Sequence, residues 1–188
     1  MDLWRLKPLG LAMLLLAALA MAGCRGGEDD GTETPARVFE LVYATYWGGS
    51  PQANKGNAIA VDSEGRIVLA GETQCPSFFL QNPIVDATRS TTGFVSAFSA
   101  DGQSVVYSTL LGDPDGYNFC LDLAVDGQGS AVAGGMAGGQ NFPLQDPLYP
   151  TFGEPWQCGF LSSIVPTGGA LNFSTFIPQQ RVVALALD

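Results

Sequence analysis

The stretch Gly56-Asn-Ala-Ile-Ala-Val-Asp62, its turn Ser63-Glu-Gly65 and the run Arg66-Ile-Val-Leu-Ala-Gly-Glu72 decide the fold of this chain. Both arms are rich in Ala, Ile, Leu and Val, which is typical of β-strands. Asp and Gly lie between the arms, where a tight hairpin needs a side-chain acceptor and a positive φ. The stretch therefore predicts two antiparallel strands, at 57–62 and 66–72.

This pattern recurs along the chain. Ala60-Val-Asp62 returns as Ala124-Val-Asp126, while Leu41-Val-Tyr-Ala-Thr45 returns as Val105-Val-Tyr-Ser-Thr109 and again as Leu171-Asn-Phe-Ser-Thr175. The motifs keep one order and return after about 62 to 66 residues. Self-similarity at a nearly fixed period indicates a repeat architecture.

One period contains four predicted strands, at 57–62, 66–72, 93–99 and 104–111. Beyond the N-terminal region no stretch combines sustained helical periodicity with caps, so we expect an all-β fold. Four antiparallel strands per repeat are typical of a β-propeller blade.

Several motifs resemble the seven-bladed β-propeller repeat family of bacterial envelope proteins. They are Leu41-Val-Tyr-Ala-Thr-Tyr-Trp-Gly-Gly49, Gly56-Asn-Ala-Ile-Ala-Val-Asp62 with its Gly65 turn, and Ala70-Gly-Glu-Thr73. The resemblance runs from about Leu41 to Asp188. It implies a partial β-propeller of four-stranded antiparallel blades, in a secreted or surface-attached binding or scaffold protein without a shared catalytic set.

The repeats also predict how much of a propeller the chain contains. We expect an outermost strand at 41–46, two complete four-stranded repeats and a first strand of a third repeat near 181–188, which makes ten strands. A closed propeller needs about four blades or more, so the chain is not expected to close alone. A truncated sequence is the favoured explanation, and self-assembly into a ring or an open stack of sheets are the alternatives.

The N-terminus has the layout of an export signal. Arg5 and Lys7 precede an uncharged, Leu- and Ala-rich run at 9–23, which is shorter than the roughly 20 residues of a spanning helix. The run ends in Met21-Ala-Gly-Cys24, which resembles the bacterial lipobox and implies that Cys24 is acylated. The alternatives are a plain signal peptide with a chance cysteine and an uncleaved N-terminal anchor.

Three regions follow from these patterns. Residues 1–23 are predicted to be a lipoprotein signal peptide, and 39–188 the propeller repeats. Residues 24–38 between them are rich in Gly, Thr and acids, so we expect a flexible tether. The chain is thus expected in the bacterial cell envelope, attached to the outer membrane or the cell surface by its lipid.

Charge limits the choice of partners. The formal net charge is −10. Non-specific affinity for nucleic acid comes from Lys and Arg that neutralise phosphates, so no nucleic-acid partner is expected.

Catalytic signatures are lacking in the sequence. The chain has no His, which removes the usual general base and the Ser-His and Cys-His couples, and it has no G-x-S-x-G. We therefore predict a protein that is not an enzyme and carries no cofactor. Asp62 and Asp126 occupy the same turn of successive repeats, which favours a structural role as turn acceptors over a catalytic one.

One loop breaks the repeat, since Asp113-Pro-Asp115-Gly-Tyr-Asn118 stands where the first repeat has Gly49-Ser-Pro-Gln-Ala-Asn54. Its alternating oxygen side chains resemble the start of a calcium loop, with Asp113, Asp115 and Asn118 as candidate ligands. No acid is placed like the distal bidentate ligand of an EF-hand. An ordinary Asp/Gly turn is therefore favoured, and calcium is the alternative.

Three cysteines lie within the repeats. Alternating strand direction is expected to place Cys75, Cys120 and Cys158 at the same end of the blades. Export permits oxidation, which favours a disulfide of Cys120, with Cys75 as the preferred partner. The alternative is three separate buried thiols.

Two classes of function remain from the sequence. The first is a non-catalytic envelope lipoprotein whose repeats bind a protein or glycan ligand or act as a scaffold. The alternative is a fragment of an extracellular carbohydrate-active or quinone-type propeller enzyme, with its site in missing sequence.

Overall fold

The computed structural model describes residues 41, 43–49, 51–153, 157–178 and 180–187. Within these ranges all regular secondary structure is β-strand, so the predicted all-β class is confirmed. The predicted signal peptide, the lipidation site Cys24 and the tether lie outside the described residues.

Eight strands form two four-stranded antiparallel sheets, each in chain order. Sheet 1 contains β1 (Asn54–Val61), β2 (Ile67–Thr73), β3 (Thr92–Phe98) and β4 (Val105–Leu111). Sheet 2 contains β5 (Phe119–Val125), β6 (Ala131–Ala137), β7 (Cys158–Ile164) and β8 (Leu171–Ile177). The four strands predicted for the first full repeat are confirmed, with their ends shifted by at most three residues.

The two sheets repeat each other in detail. Gly71 pairs with Phe94 between β2 and β3, and Gly135 pairs with Phe160 between β6 and β7. The first hairpin of each sheet also has a register irregularity, after Gly56 in sheet 1 and after Cys120 in sheet 2. The period seen in the sequence is therefore a period of structure.

The first hairpin turn of each sheet is closed by an aspartate. Asp62 Oδ1 accepts hydrogen bonds from the backbone N–H groups of Glu64 and Arg66, at 2.9 and 2.8 Å. Asp126 Oδ1 accepts the equivalent bonds, from the backbone N–H groups of Gln128 and Ser130. Both turns also contain a glycine at positive φ, +80° and +83°. The predicted role of both aspartates as turn acceptors is confirmed.

The sheets pack on each other through one shared core. Strand β5 lies against β1, β2 and β3 of sheet 1. Small side chains of sheet 1 meet larger side chains of sheet 2 there, and the buried residues at this boundary include Val68, Ala70, Val95, Ala97, Leu123, Phe160 and Ile164. The face of one sheet thus covers the face of the next.

Two predicted strands are wrong. The described residues of 41–46 form no strand, and neither do those of 181–188. A strand must satisfy its backbone groups on a neighbouring strand edge, whereas these segments lie against the faces of the sheets. Trp47, directly after the first segment, contacts the ring of Phe98 at a centroid distance of 4.7 Å, and the backbone N–H of Val182 donates to the carbonyl of Gly135.

Candidate functional site

A polar depression lies where β2 ends and β3 begins, beside the loop that leads into β5. It has a volume of about 290 Å³. Its lining consists of polar and aromatic side chains from three separate loops, namely Gln52, Gln74, Arg89, Ser90, Thr91 and Tyr117.

The loop at 112–118 forms one wall of this depression and is closed by Asn118. The side-chain amide of Asn118 donates to the carbonyls of Asp113 and Gly116, at 2.8 and 2.9 Å. Its Oδ1 accepts from the backbone N–H groups of Asp113 and Gly138, both at 3.2 Å. Asn54 holds the equivalent loop of sheet 1, where its amide donates to the carbonyl of Gly49. The Asn at this repeat position therefore closes the loop before it by side-chain hydrogen bonds to loop carbonyls.

Asp113 braces the same loop from inside. The residue is 4% exposed, and its two carboxylate oxygens accept from the backbone N–H groups of Asp115 and Asn141. Asp115 points outward and forms an ion pair with Arg89 at 3.0 Å. The loop is therefore fixed on both sides by hydrogen bonds to its neighbours.

These contacts bear on the three calcium candidates. The side-chain oxygens of Asp113 and Asn118 accept from protein N–H groups, and Asp115 is paired with Arg89. No group of three or more His, Cys, Asp or Glu among the described residues is placed to hold a metal ion. The calcium site stays a prediction, and the geometry agrees with the ordinary Asp/Gly turn that the sequence favours.

Tyr117 is the exposed aromatic residue of the depression. A Cβ added to Gly138 would overlap the backbone oxygen of Tyr117, so the close approach of the two chains requires glycine there. The backbone of Tyr117 is thus held tightly while the side chain is 62% exposed. An aromatic ring is presented to solvent on a braced loop.

The opposite wall is tied to this loop by the segment at 89–91. The backbone N–H of Asn118 donates to the carbonyl of Thr91, and that of Arg89 donates to the carbonyl of Pro114. The Gln74 amide donates to Thr91 Oγ1 at 3.2 Å, which restricts the orientation of the amide. The Arg89 charge is balanced by Asp115, so the depression carries no net charge of its own.

Sequence reasoning did not single out Tyr117, Arg89, Gln52 or Gln74. The available signal was the loop that departs from the repeat. The other side chains come from positions far apart in the sequence, and only the packed sheets bring them together.

A second depression lies at the equivalent end of sheet 2. It also has a volume of about 290 Å³, and it is lined by Met136, Gln157, Cys158, Gln180 and Arg181. None of these five described residues is aromatic.

All three cysteines of the repeats are buried: Cys75 follows β2, Cys120 lies at the start of β5 and Cys158 begins β7. Cys120 packs against Gly93 at the start of β3, and Cys158 begins β7 beside Ala137. Cys75 Sγ lies 3.3 Å from Ser77 Oγ. The thiols of Cys120 and Cys158 are free, and burial raises the pKa of both. The structure thus contains no disulfide of Cys120, and pairing under oxidising conditions stays a prediction.

Among the described residues, no helix has the length and apolar character needed to cross a membrane. In comparisons with known proteins, no protein-family model matches this chain, and no curated protein matches it either.

Proposed function

We propose that this chain is a lipid-anchored protein of the bacterial cell envelope, whose repeats are blades of β-propeller type and act as a non-catalytic binding module. The observation that carries the binding role is the braced loop at 112–118. It departs from the repeat and presents Tyr117 at a polar depression in which Arg89 is paired with Asp115. Rigid loops on a β-scaffold are common places for binding sites.

The N-terminal flanking segment supports blade-like stacking. A Cβ added to Gly168, in the β7–β8 turn, would overlap Tyr107 of β4. A Cβ added to Gly102, in the β3–β4 turn, would overlap the ring of Tyr43. Tyr43 therefore lies against sheet 1 as Tyr107 lies against sheet 2. The segment at 43–47 occupies the place that the last strand of a preceding sheet would take.

The C-terminal flanking segment supports the same arrangement from the other side. Val182 and Leu185 pack close to Gly134 of β6. A Cβ added to this glycine would lie 2.6 Å from the Val182 side chain and 3.3 Å from the Leu185 side chain. Leu123, the repeat equivalent of Leu185, packs in one core with Ala70, the equivalent of Gly134. The segment at 180–187 thus takes the place of a following first strand. One interface is used again on each side of the pair of sheets, which is how propeller blades stack.

The lipid anchor rests on the sequence alone. Met21-Ala-Gly-Cys24 after a short apolar run supports acylation of Cys24 and attachment to a membrane. The net charge of −10 speaks against a nucleic-acid partner, so the partners that we propose are the membrane, through the lipid, and an envelope ligand.

The absence of catalytic function is part of the proposal. The chain has no His. The carboxylates of Asp62, Asp113 and Asp126 are engaged in bracing turns and loops.

Lipidation is tested by feeding labelled fatty acid to the host. Label and membrane association are expected for the wild type, and Cys24→Ser should abolish the label. Persistence of label on the variant would show that the anchor is elsewhere.

Binding is tested by co-sedimentation of the full chain, purified in a polyoxyethylene detergent, with washed host envelopes. Saturable binding is expected. Replacing residues 113–117 with the Gly-Ser-Pro-Gln-Ala found at 49–53 should remove it, while circular dichroism shows that the strand content is kept. Should that variant misfold, Arg89→Ser serves in its place, because its side chain is 74% exposed. Saturable binding unaffected by a folded variant, or no binding by the wild type, would contradict the proposal.

A further inference from the structure

We propose that the depression beside Tyr117 binds a neutral oligosaccharide, with the Tyr117 ring as the platform on which a sugar ring stacks. The inference rests on the proposed binding function and specifies the ligand class of that site.

Tyr117 presents its ring to solvent from an ordered loop. A tyrosine ring offers an apolar face and a polar edge, which suits a ligand with both. The loop is closed by Asn118 and Asp113 and held against Gly138, so its backbone is already ordered before a ligand arrives. Ordering groups on binding costs free energy, and a braced platform avoids much of that cost.

The described side chains that line the depression are rich in hydrogen-bonding groups. Gln52, Gln74, Arg89, Ser90 and Thr91 offer amides, a guanidinium group and hydroxyls. Together they donate and accept hydrogen bonds across a small area. None of the described lining residues is aliphatic. This combination suits a polyhydroxylated ligand and does not suit a lipid chain or an apolar peptide.

The charges at the depression favour a neutral ligand. Arg89 is the cation of the depression, and Asp115 neutralises it at 3.0 Å. An anionic ligand would have to displace Asp115 and would meet a chain of net charge −10. A cationic ligand would have to displace Arg89. A neutral ligand avoids both costs.

The volume of the depression limits the length of ligand that it can hold. A volume of about 290 Å³ lies at the lower end of known ligand clefts. The depression therefore takes a short stretch of a sugar chain, and the remainder of a longer glycan would extend into solvent.

The equivalent depression of sheet 2 provides an internal contrast. Among the described residues it too has amides and an arginine, but Met136 and Cys158 make its lining less polar than that of the depression beside Tyr117.

The experiment uses the full lipidated chain in a polyoxyethylene detergent, because sugar-based detergents would compete. An array of neutral and acidic oligosaccharides, including fragments of the host envelope polysaccharide, is followed by calorimetric titration of the best binder. Tyr117→Ala is expected to weaken binding about tenfold, whereas Tyr117→Phe keeps it. The matched control is Tyr149→Ala, because Tyr149 is also exposed, at 47%, and lies outside the depression.

Binding of neutral glycans that depends on the Tyr117 ring supports the assignment. The proposal is overturned if no neutral glycan binds, if acidic glycans bind better, or if binding survives Tyr117→Ala. A protein that sediments with envelopes yet binds no neutral glycan would retain the proposed binding function and lose only this ligand class. Failure of both experiments would remove the binding function itself.

Discussion

Ile59 of sheet 1 and Leu123 of sheet 2 occupy the same position of the repeat, yet Ile59 is 67% exposed and Leu123 is 6% exposed. Leu123 is covered by sheet 1, whereas Ile59 borders an apolar cavity of about 200 Å³ that Tyr43 and Trp47 also line. The side chains are alike, so the neighbouring surface and not the residue type determines burial. The contrast teaches that each sheet has an apolar face suited to another sheet.

The largest effect is expected from truncating Leu123, the buried member of this pair. Leu123→Ala should lower the free energy of unfolding by about 2–5 kcal/mol, because it leaves a cavity between the sheets. Ile59→Ala is the matched control and should cost less than about 1 kcal/mol, since little of that side chain is removed from water. Urea denaturation followed by circular dichroism measures both. Equal losses would mean that the two positions have equivalent surroundings.

Acid should weaken the same interface. Arg66 donates to Asp62 Oδ2 and reaches across to the carbonyl of Pro166 in sheet 2. Burial of Asp62 opposes its ionisation, but hydrogen bonds from the Arg66 side chain and from backbone N–H groups outweigh it and hold the pKa of Asp62 below 3.8.

Because the pKa is lower in the folded state, this contribution to stability is present above about pH 4 and is lost as the pH falls through the folded value. Asp62→Asn should remove about 1–2 kcal/mol at pH 7 and should flatten the loss of stability below pH 4. Chemical denaturation at a series of pH values checks this. An unchanged acid profile in the variant would assign the dependence to other carboxyl groups.

The smallest expected effect concerns Tyr107, also at the sheet boundary. Its ring is buried, and among the described residues its hydroxyl has no hydrogen-bond partner. An unsatisfied buried hydroxyl costs about 1–3 kcal/mol, so Tyr107→Phe should be neutral or should raise stability by up to about 1 kcal/mol. The repeat itself has a phenylalanine at the equivalent position, Phe173. A clear loss of stability in thermal unfolding would indicate a hydrogen bond to that hydroxyl in solution.

The sequence predicted those features that neighbouring residues determine. The strands near 57–62 and 66–72 follow from a composition rich in strand-forming residues, and the roles of Asp62 and Asp126 follow from turn chemistry within a few residues. Such local preferences need no knowledge of the rest of the chain.

The features that the sequence did not predict depend on distant contacts. The segments at 41–46 and 181–188 have strand-like sequences but lie against sheet faces, because pairing depends on an available strand edge. The side chains around Tyr117 come from three loops, and the loop that carries Tyr117 joins the other two through contacts between the sheets. Their sequence spacing therefore carries no sign of a common site.

The central claim is that one sheet-to-sheet interface is repeated on the outer face of sheet 1. The most direct test is nuclear Overhauser contacts from tyrosine ring protons in the folded chain. Tyr107 should show contacts to Gly168, and Tyr43 should show the equivalent contacts to Gly102, since each tyrosine packs on the corresponding hairpin glycine. Contacts for both pairs are the predicted result, and contacts for Tyr107 with none for Tyr43 would contradict the claim.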